Sequence, residues 1–166
     1  MKTIGLRGGM SWESTDLYYQ QINKMVQMKL GKLHSAKVVL ISVDFAEIEE
    51  LQHKGLWDEA GLYLKDKAIQ LEKGGADGIV LCTNTMHKVA SYIENSTTIP
   101  FIHIADATAT EILSQNIKKI GLLGTAFTME QDFYKSRLEE KGLEVITPNE
   151  TNRKVVHDII YNELCL

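Results

Sequence analysis

Short apolar runs alternate along the chain with longer segments in which apolar residues recur every three or four positions. The short runs are predicted strands and the longer segments predicted amphipathic helices. The segment 57–73 shows the helical pattern clearly, because apolar residues line one side and Gly74-Gly75 follow its last turn. Strands that alternate with helices favour an α/β fold with a parallel sheet.

The predicted strands are bounded by glycines and polar residues. They span 3–6, 36–42, 79–82, 99–102, 119–123 and 143–147. The predicted helices start at Ser11 or Ser14 and stop near Gly31, and then span 44–55, 57–73, 84–94, 105–113, 129–141 and 152–164. The Val-Val-Leu-Ile run within 36–42 predicts a strand that is buried on both faces.

The pattern restarts in the second part of the chain. Residues 121–125, Gly-Leu-Leu-Gly-Thr, echo residues 5–9, Gly-Leu-Arg-Gly-Gly, and each is a short strand that breaks into a glycine loop. We therefore expect two similar doubly wound parallel α/β halves, the second incomplete. The first half is predicted over 1–104, and the partial second half over 105–166.

Composition narrows the function classes. The 166 residues are 44% hydrophobic and 24% charged, with a formal net charge of −4, so no basic patch suggests nucleic acid or an anionic membrane as a partner. No stretch approaches the ~20 apolar residues of a membrane span. The two cysteines, Cys82 and Cys165, lie far apart, which fits a reducing cytoplasm and argues against a disulfide framework.

The strand end at Cys82 is the strongest candidate for a binding site. Thr83-Asn84-Thr85 follows an apolar run and precedes a predicted helix. Ligands of open parallel sheets bind at such strand ends, where unpaired backbone amides and the helix dipole favour an anion. Hydroxyl and amide groups there can bind a small carboxylate. The alternative is an ordinary helix cap, since Thr and Asn are good cap residues.

Two glycine loops could complete such a site. Gly8-Gly9 and Gly124-Thr125 each follow a predicted strand and open a helix. The Gly8-Gly9 loop lacks the spacing of phosphate and dinucleotide loops. Because parallel strands end at the same edge of a sheet, three such ends would present amides and hydroxyls to a small polar ligand.

Cys82 and His87 invite other hypotheses. They are too few for a metal site, so no metal is expected. A Cys–His nucleophilic pair would place His87 about one turn from the strand end, and a solvated helix position is the expectation for it. Cys82 and Thr83 point to opposite faces of a strand, so at most one of them lines the cleft. Cys82 extends the apolar run and fits the core.

Other polar residues have structural explanations. Arg7 lies in an apolar strand, where a buried guanidinium needs a partner; it could bind a carboxylate through two hydrogen bonds or disrupt the site. Gln52 and His53 end a short helix and are expected at the surface. His103 and Asp106 flank the fourth strand, and we expect them to form a hydrogen-bonded structural pair.

Five segments together resemble the aspartate/glutamate racemase family, and this resemblance covers essentially the whole chain. The subgroup they resemble comprises the L-aspartate/glutamate-specific and broad-specificity amino-acid racemases. The segments are 1–15 (Met-Lys-Thr-Ile-Gly-Leu-x-Gly-Gly-Met-Ser-Trp-Glu-Ser-Thr), 42–45 (Ser-Val-Asp-Phe), 81–88 (Leu-Cys-Thr-Asn-Thr-Met-His-Lys), 103–108 (His-Ile-Ala-Asp-Ala-Thr) and 121–125 (Gly-Leu-Leu-Gly-Thr).

The resemblance implies racemisation of a small acidic amino acid, aspartate or glutamate, without a cofactor. Two acid/base groups then flank the substrate α-carbon, and one removes a proton as the other delivers one. By resemblance, Thr83 takes the place of the first catalytic cysteine. The residues implied to bind substrate are Met10, Gln52, Thr83, Asn84 and Thr85.

The chain departs from the family pattern in two places. The second base of the family is a cysteine in a Gly-Cys-Thr-Glu motif, which this sequence lacks; Cys165 lies in Asn-Glu-Leu-Cys-Leu and does not match. Arg7 stands where relatives carry a small or apolar residue. We therefore expect impaired racemisation, and a shortened second half whose exposed apolar surface favours a homo-oligomer. The alternatives are a non-catalytic module that binds a small amino or carboxylic acid, and a related isomerase or decarboxylase.

Overall fold

Two parallel sheets, one of four strands and one of two, organise the chain in a computed structural model that describes residues 1–165. The α/β class is therefore confirmed. The chain divides into two units. The first comprises Met1–Thr83 and Val89–Ile102, and the second comprises Asn84–Lys88 and the chain from His103 onwards. The halves 1–104 and 105–166 stay a prediction.

The first unit contains the four-stranded sheet. Its strands are β1 (Thr3–Gly8), β2 (Lys37–Ser42), β3 (Gly78–Leu81) and β4 (Phe101–Ile102). Its helices are α1 (Trp12–Leu30), α2 (Phe45–His53), α3 (Trp57–Lys73) and α4 (Ala90–Glu94). The spatial order is β2-β1-β3-β4, with every pair parallel. The order reverses at β1, because β2 pairs with one of its edges and β3 with the other.

Helices cover both faces of this sheet, as positions along β1 demonstrate. A Cβ atom at Gly5 would lie 3.4 Å from Leu71 of α3, whereas one at Gly8 would overlap Thr15 of α1. Positions an odd number apart in a strand face opposite sides. Helices α1 and α3 therefore lie on opposite faces of β1. The largest fully buried apolar side chains of this unit are Leu6, Ile48, Leu64, Leu71, Ile79, Leu81 and Ile93.

Strand β2 is an edge strand, and the expectation that 36–42 is buried on both faces is wrong. Leu40 is 45% exposed. Since β2 has a paired strand on one side only, its apolar run is covered incompletely. A continuous apolar run has the same appearance in sequence whether the strand is central or at the edge.

The second unit contains the small sheet. Its strands are β5 (Lys119–Gly121) and β6 (Glu144–Ile146), and its helices are α5 (Ile104–Ser114), α6 (Ala126–Glu130), α7 (Asp132–Glu140) and α8 (Glu150–Ile159). A 3₁₀ turn covers Thr85–Val89, and a π-helical turn covers Ile160–Leu164. The buried core of this unit comprises Ala105, Ala109, Tyr134, Leu138, Leu143 and Val145.

Two predicted helices are interrupted. The segment 129–141 forms parts of α6 and α7, because Gln131 between them has an extended backbone (φ −93°, ψ 147°). The segment 84–94 is a 3₁₀ turn followed by the short α4. Neither break carries glycine or proline, so the sequence gives no signal for it. Over residues 1–165, every helix is too short or too polar to cross a bilayer.

Candidate active site

The carboxyl ends of β1 and β3 lie side by side in the first unit. The amide of Cys82, directly after β3, donates to the carbonyl oxygen of Arg7 in β1 over 2.9 Å. The Ser14 hydroxyl of α1 then donates to the Cys82 carbonyl oxygen over 3.0 Å. The Gly9 loop and Thr83 therefore emerge from neighbouring strands, at the point where the strand order reverses. Open α/β sheets bind ligands at this position.

The loop after β1 is fixed by backbone as well as side-chain contacts. Gly9 has a φ of +90°, and a Cβ atom there would overlap the backbone of Val43. The Gly9 amide donates to Thr15 Oγ1 over 2.9 Å, and that hydroxyl donates to the Ser11 carbonyl oxygen over 3.0 Å. Met10, within this loop, is 4% exposed. The loop is thus held rigidly at the start of α1.

Three of the five residues expected to bind substrate lie in the first unit. Met10 follows β1, Thr83 follows β3 and is partly exposed, and Gln52 lies in α2, which begins just after β2. All three thus belong to segments that leave the carboxyl edge of one sheet. Gln52 is 3% exposed, so its expected surface position is wrong. The packing of α2 buries it, and a short helix with a mixed face gives no sequence signal for that.

The other two residues lie in the second unit. Asn84 is exposed, and Thr85 is buried. Thr85 Oγ1 is 3.0 Å from Thr125 Oγ1, which in turn is 3.3 Å from Thr128 Oγ1. We call Thr85, Thr125 and Thr128 the threonine cluster. The Gly124-Thr125 turn stands out in the sequence, whereas Thr128 was not predicted, although it lies three residues on, at the spacing of a helix cap.

Two buried histidines hold the start of α5. His87 Nε2 accepts from the Ile104 amide over 3.3 Å, His103 Nδ1 accepts from the Ala105 amide over 3.1 Å, and the ring centroids are 4.4 Å apart. The solvated position expected for His87 is wrong, because this contact buries it to 3% exposure. Burial, reinforced by the positive charge of Arg137, lowers the pKa of His103 to about 4.

Asp106, in the first turn of α5, bonds to an arginine. Its carboxylate accepts two hydrogen bonds from Arg137, from Nε over 3.1 Å and from Nη2 over 2.7 Å. These hydrogen bonds lower the pKa of Asp106. His103 acts as the helix cap beside it, so the two residues serve α5 in different ways.

Cys82 belongs to the core. It is fully buried, and burial raises the pKa of its thiol to about 12. A thiol of that pKa carries almost no thiolate at neutral pH and is neither a base nor a nucleophile there. Within the described part of the chain, no group of three or more His, Cys, Asp or Glu side chains could hold a metal ion.

Comparison with known proteins identifies the family. A sequence model described as Asp/Glu/Hydantoin racemase matches residues 8–164. The chain belongs to this racemase family. It is 29% identical over 148 residues to the broad specificity amino-acid racemase RacX of Bacillus subtilis (strain 168), a match that covers 86% of this chain. The chain spans 63% of that relative's length.

Two crystal structures of family members are similar over nearly the whole chain. A candidate Asp/Glu racemase from Yersinia pestis is 60% identical, with a TM-score of 0.92. An aspartate racemase homologue from Pyrococcus horikoshii OT3 is 37% identical, with a TM-score of 0.86. Each similarity covers 99% of this chain and 72% of the other. Both structures therefore share the fold of this chain.

Proposed function

We propose that this chain binds a small acidic amino acid, aspartate or glutamate, and exchanges its α-hydrogen without a cofactor. Family membership and the pairing of two loops at one sheet edge support this proposal. The observation that carries it is the position of Thr83 directly after β3, beside the fixed loop that follows β1. A ligand at that edge would lie within reach of both strand ends.

Thr83 is proposed as the acid/base group on one face of the substrate α-carbon. Its hydroxyl is a far weaker base than a thiolate, so proton removal from this side is slow. Met10, Gln52, Asn84 and Thr85 are proposed to bind the substrate with Thr83. Fixed amide and hydroxyl dipoles at the strand ends would stabilise the negative charge that develops at the α-carbon.

A second base is proposed to be missing from this sequence. Cys82 is excluded by its burial and high pKa, and no Gly-Cys-Thr-Glu motif is present. Racemisation needs a proton donor on the face opposite the base that removes the proton. We therefore expect α-hydrogen exchange on one face to be faster than net racemisation.

The test is α-hydrogen exchange of L-aspartate and L-glutamate in deuterated water, followed by NMR, together with chiral analysis of the product. Thr83→Ala should lower the exchange rate about 100-fold, the usual contribution of one acid/base group. Thr83→Ser keeps the hydroxyl and should retain most of the rate. Thr110→Ala, at an exposed position of α5, controls for the loss of a threonine as such.

Equilibrium dialysis with the same amino acids separates the alternatives. Binding of these amino acids without exchange of their α-hydrogen would indicate a binding module and not an enzyme. Loss of carbon dioxide would indicate a decarboxylase. Absence of both binding and exchange would contradict the proposal as a whole.

Three broader points belong to the proposal. The two units would be similar doubly wound halves, since each has a parallel sheet and a glycine loop. Exposed apolar side chains of the first unit, such as Trp12 (66%) and Met28 (81%), support a homo-oligomer, which light scattering would test. The free thiols of Cys82 and Cys165 fit a cytoplasmic location.

A further inference from the structure

Strand β1 carries a fully buried arginine. Arg7 is 0% exposed, and the residues on either side of it in the strand are Leu6 and Gly8. Its Nη1 atom donates to the carbonyl oxygens of Gly8, over 2.8 Å, and Ile41, over 3.3 Å. Its Nε and Nη2 atoms are buried and have no hydrogen-bond partner among residues 1–165. Half of the guanidinium is therefore anchored, and half is unpaired.

The unpaired half is the edge that binds a carboxylate. The Nε–H and one Nη2–H of a guanidinium point the same way in one plane and match the two oxygens of a carboxylate. Arg137 shows this chemistry in the same chain, because its Nε and Nη2 donate to the two oxygens of Asp106. Since two carbonyls hold Nη1 of Arg7, the equivalent edge is already oriented.

The groups around Arg7 do not neutralise it. The Tyr63 ring of α3 lies over the guanidinium, with 5.6 Å between the ring centroid and Cζ, and the Tyr63 hydroxyl donates to Glu47 of α2 over 3.2 Å. Lys67 approaches the same ring to 5.3 Å and adds a second cation. The Cys82 thiol is neutral at pH 7. Burial lowers the pKa of Arg7 to about 10, so it stays charged.

A buried charge without a partner lowers the stability of the folded protein, and a bound carboxylate would remove most of this destabilisation. We propose that Arg7 is the receptor of a second, buried anion site, which takes one carboxylate group on its Nε–Nη2 edge. The Tyr63 ring lies against the face of the guanidinium, with its centroid 5.6 Å from Cζ, and therefore borders this site. The carboxylate comes either from a free monocarboxylate or from an amino acid.

Two measurements test this site in the full chain. The first is unfolding temperature against sodium formate concentration at constant ionic strength. Wild type should show a saturable rise, as expected for a ligand that binds only the native state, and Arg7→Met should show none. Arg153→Met removes an arginine that is paired with Glu130 and should keep the rise. The same series with L-aspartate tests an amino acid as the ligand, and only the part of the rise that Arg7→Met loses counts for this site, because L-aspartate is also the proposed substrate at Thr83.

The second measurement is urea unfolding without carboxylate. Arg7→Met should be more stable than wild type there, because an apolar side chain replaces an uncompensated charge. If Arg7 had a purely structural role, Arg7→Met would instead be less stable than wild type. The proposal is overturned if neither ligand gives a saturable rise that wild type shows and Arg7→Met lacks, or if half-saturation of that rise needs more than about 0.1 M carboxylate. It is independent of the proposed function, because it needs no α-hydrogen exchange.

Discussion

The two units begin their helices in different ways. In the first unit only α2 has a side-chain cap, Asp44, among the described residues, while α1, α3 and α4 begin without one. In the second unit α5, α6 and α8 begin with side-chain caps, from His103, Thr125 and Asn149. The first unit therefore depends on close backbone packing at its strand ends. The second depends on individual polar side chains, one of which, His103, titrates.

The largest effect is expected where the first unit has no room for a side chain. Gly9→Ala would combine an unfavourable φ of +90° with overlap on the Val43 backbone, and we expect a loss of roughly 3–5 kcal/mol in the free energy of unfolding. Urea unfolding measures it. Gly31→Ala is the matched control, because Gly31 has a φ of +87° and no described atom lies within 4 Å of a Cβ there. It should cost only about 1 kcal/mol. Equal losses would contradict the packing argument.

Acid should destabilise the second unit through His103. The pKa of this histidine is lowered from 6.5 to about 4, so its stabilising neutral form is fully populated above pH 6.5. Stability then falls as the pH drops from about 6.5 to about 4, by up to about 3 kcal/mol. Urea unfolding at intervals across this range would measure the loss.

His103→Asn separates capping from titration at this position. Asparagine is a good helix cap and carries no charge, so the variant should keep the helix start while its stability varies less with pH between 4 and 6.5. An unchanged pH profile would assign the acid sensitivity in this range to groups other than His103.

A smaller effect is expected at Thr15, whose side chain accepts a hydrogen bond from the loop after β1. Thr15→Val would leave the buried Gly9 amide without its acceptor, at a cost of about 2 kcal/mol. Thr110→Val removes an exposed hydroxyl that donates to the backbone carbonyl oxygen of Asp106, and it should change stability by less than about 0.5 kcal/mol. Thermal unfolding of both variants gives the difference. Similar values for the two would mean that the loop does not depend on Thr15.

The smallest effect is expected in the threonine cluster. Thr125→Val removes the cap of α6 and the contact with Thr85, and should cost about 1 kcal/mol. Thr125→Ser keeps the hydroxyl and should restore most of the loss. Chemical unfolding of the two variants would check this, and failure of serine to restore stability would assign the effect to the lost methyl group.

In the first unit, the sequence predicted the elements whose ends are marked by glycines and apolar runs. Strand β3 and helix α3 were located to within a residue or two, because their signals are local. The burial of Gln52 and His87 was not predicted, since it depends on packing between segments distant in sequence. The partial exposure of Leu40 was missed for the same reason, because an edge position is a property of strand order.

The candidate site was predicted only in part. The polar triplet at Thr83 and the loop at Gly8-Gly9 are visible in the sequence as strand ends. Their adjacency follows from the pairing of β1 with β3, which periodicity does not specify. Arg7 stood out as a charge in an apolar strand, but the orientation of its unpaired edge depends on the carbonyls of Gly8 and Ile41.

The strand order also determines when each edge of β1 is covered during synthesis. Strand β2 can pair with β1 once residue 42 has emerged from the ribosome, whereas β3 ends at residue 81. At about 5–20 residues per second, the other edge of β1 waits roughly 2–8 s for its partner. During that interval the nascent chain carries an uncovered sheet edge, with Arg7 on it. An unpaired edge of this kind can pair with another chain, so the interval is a hazard for association during synthesis.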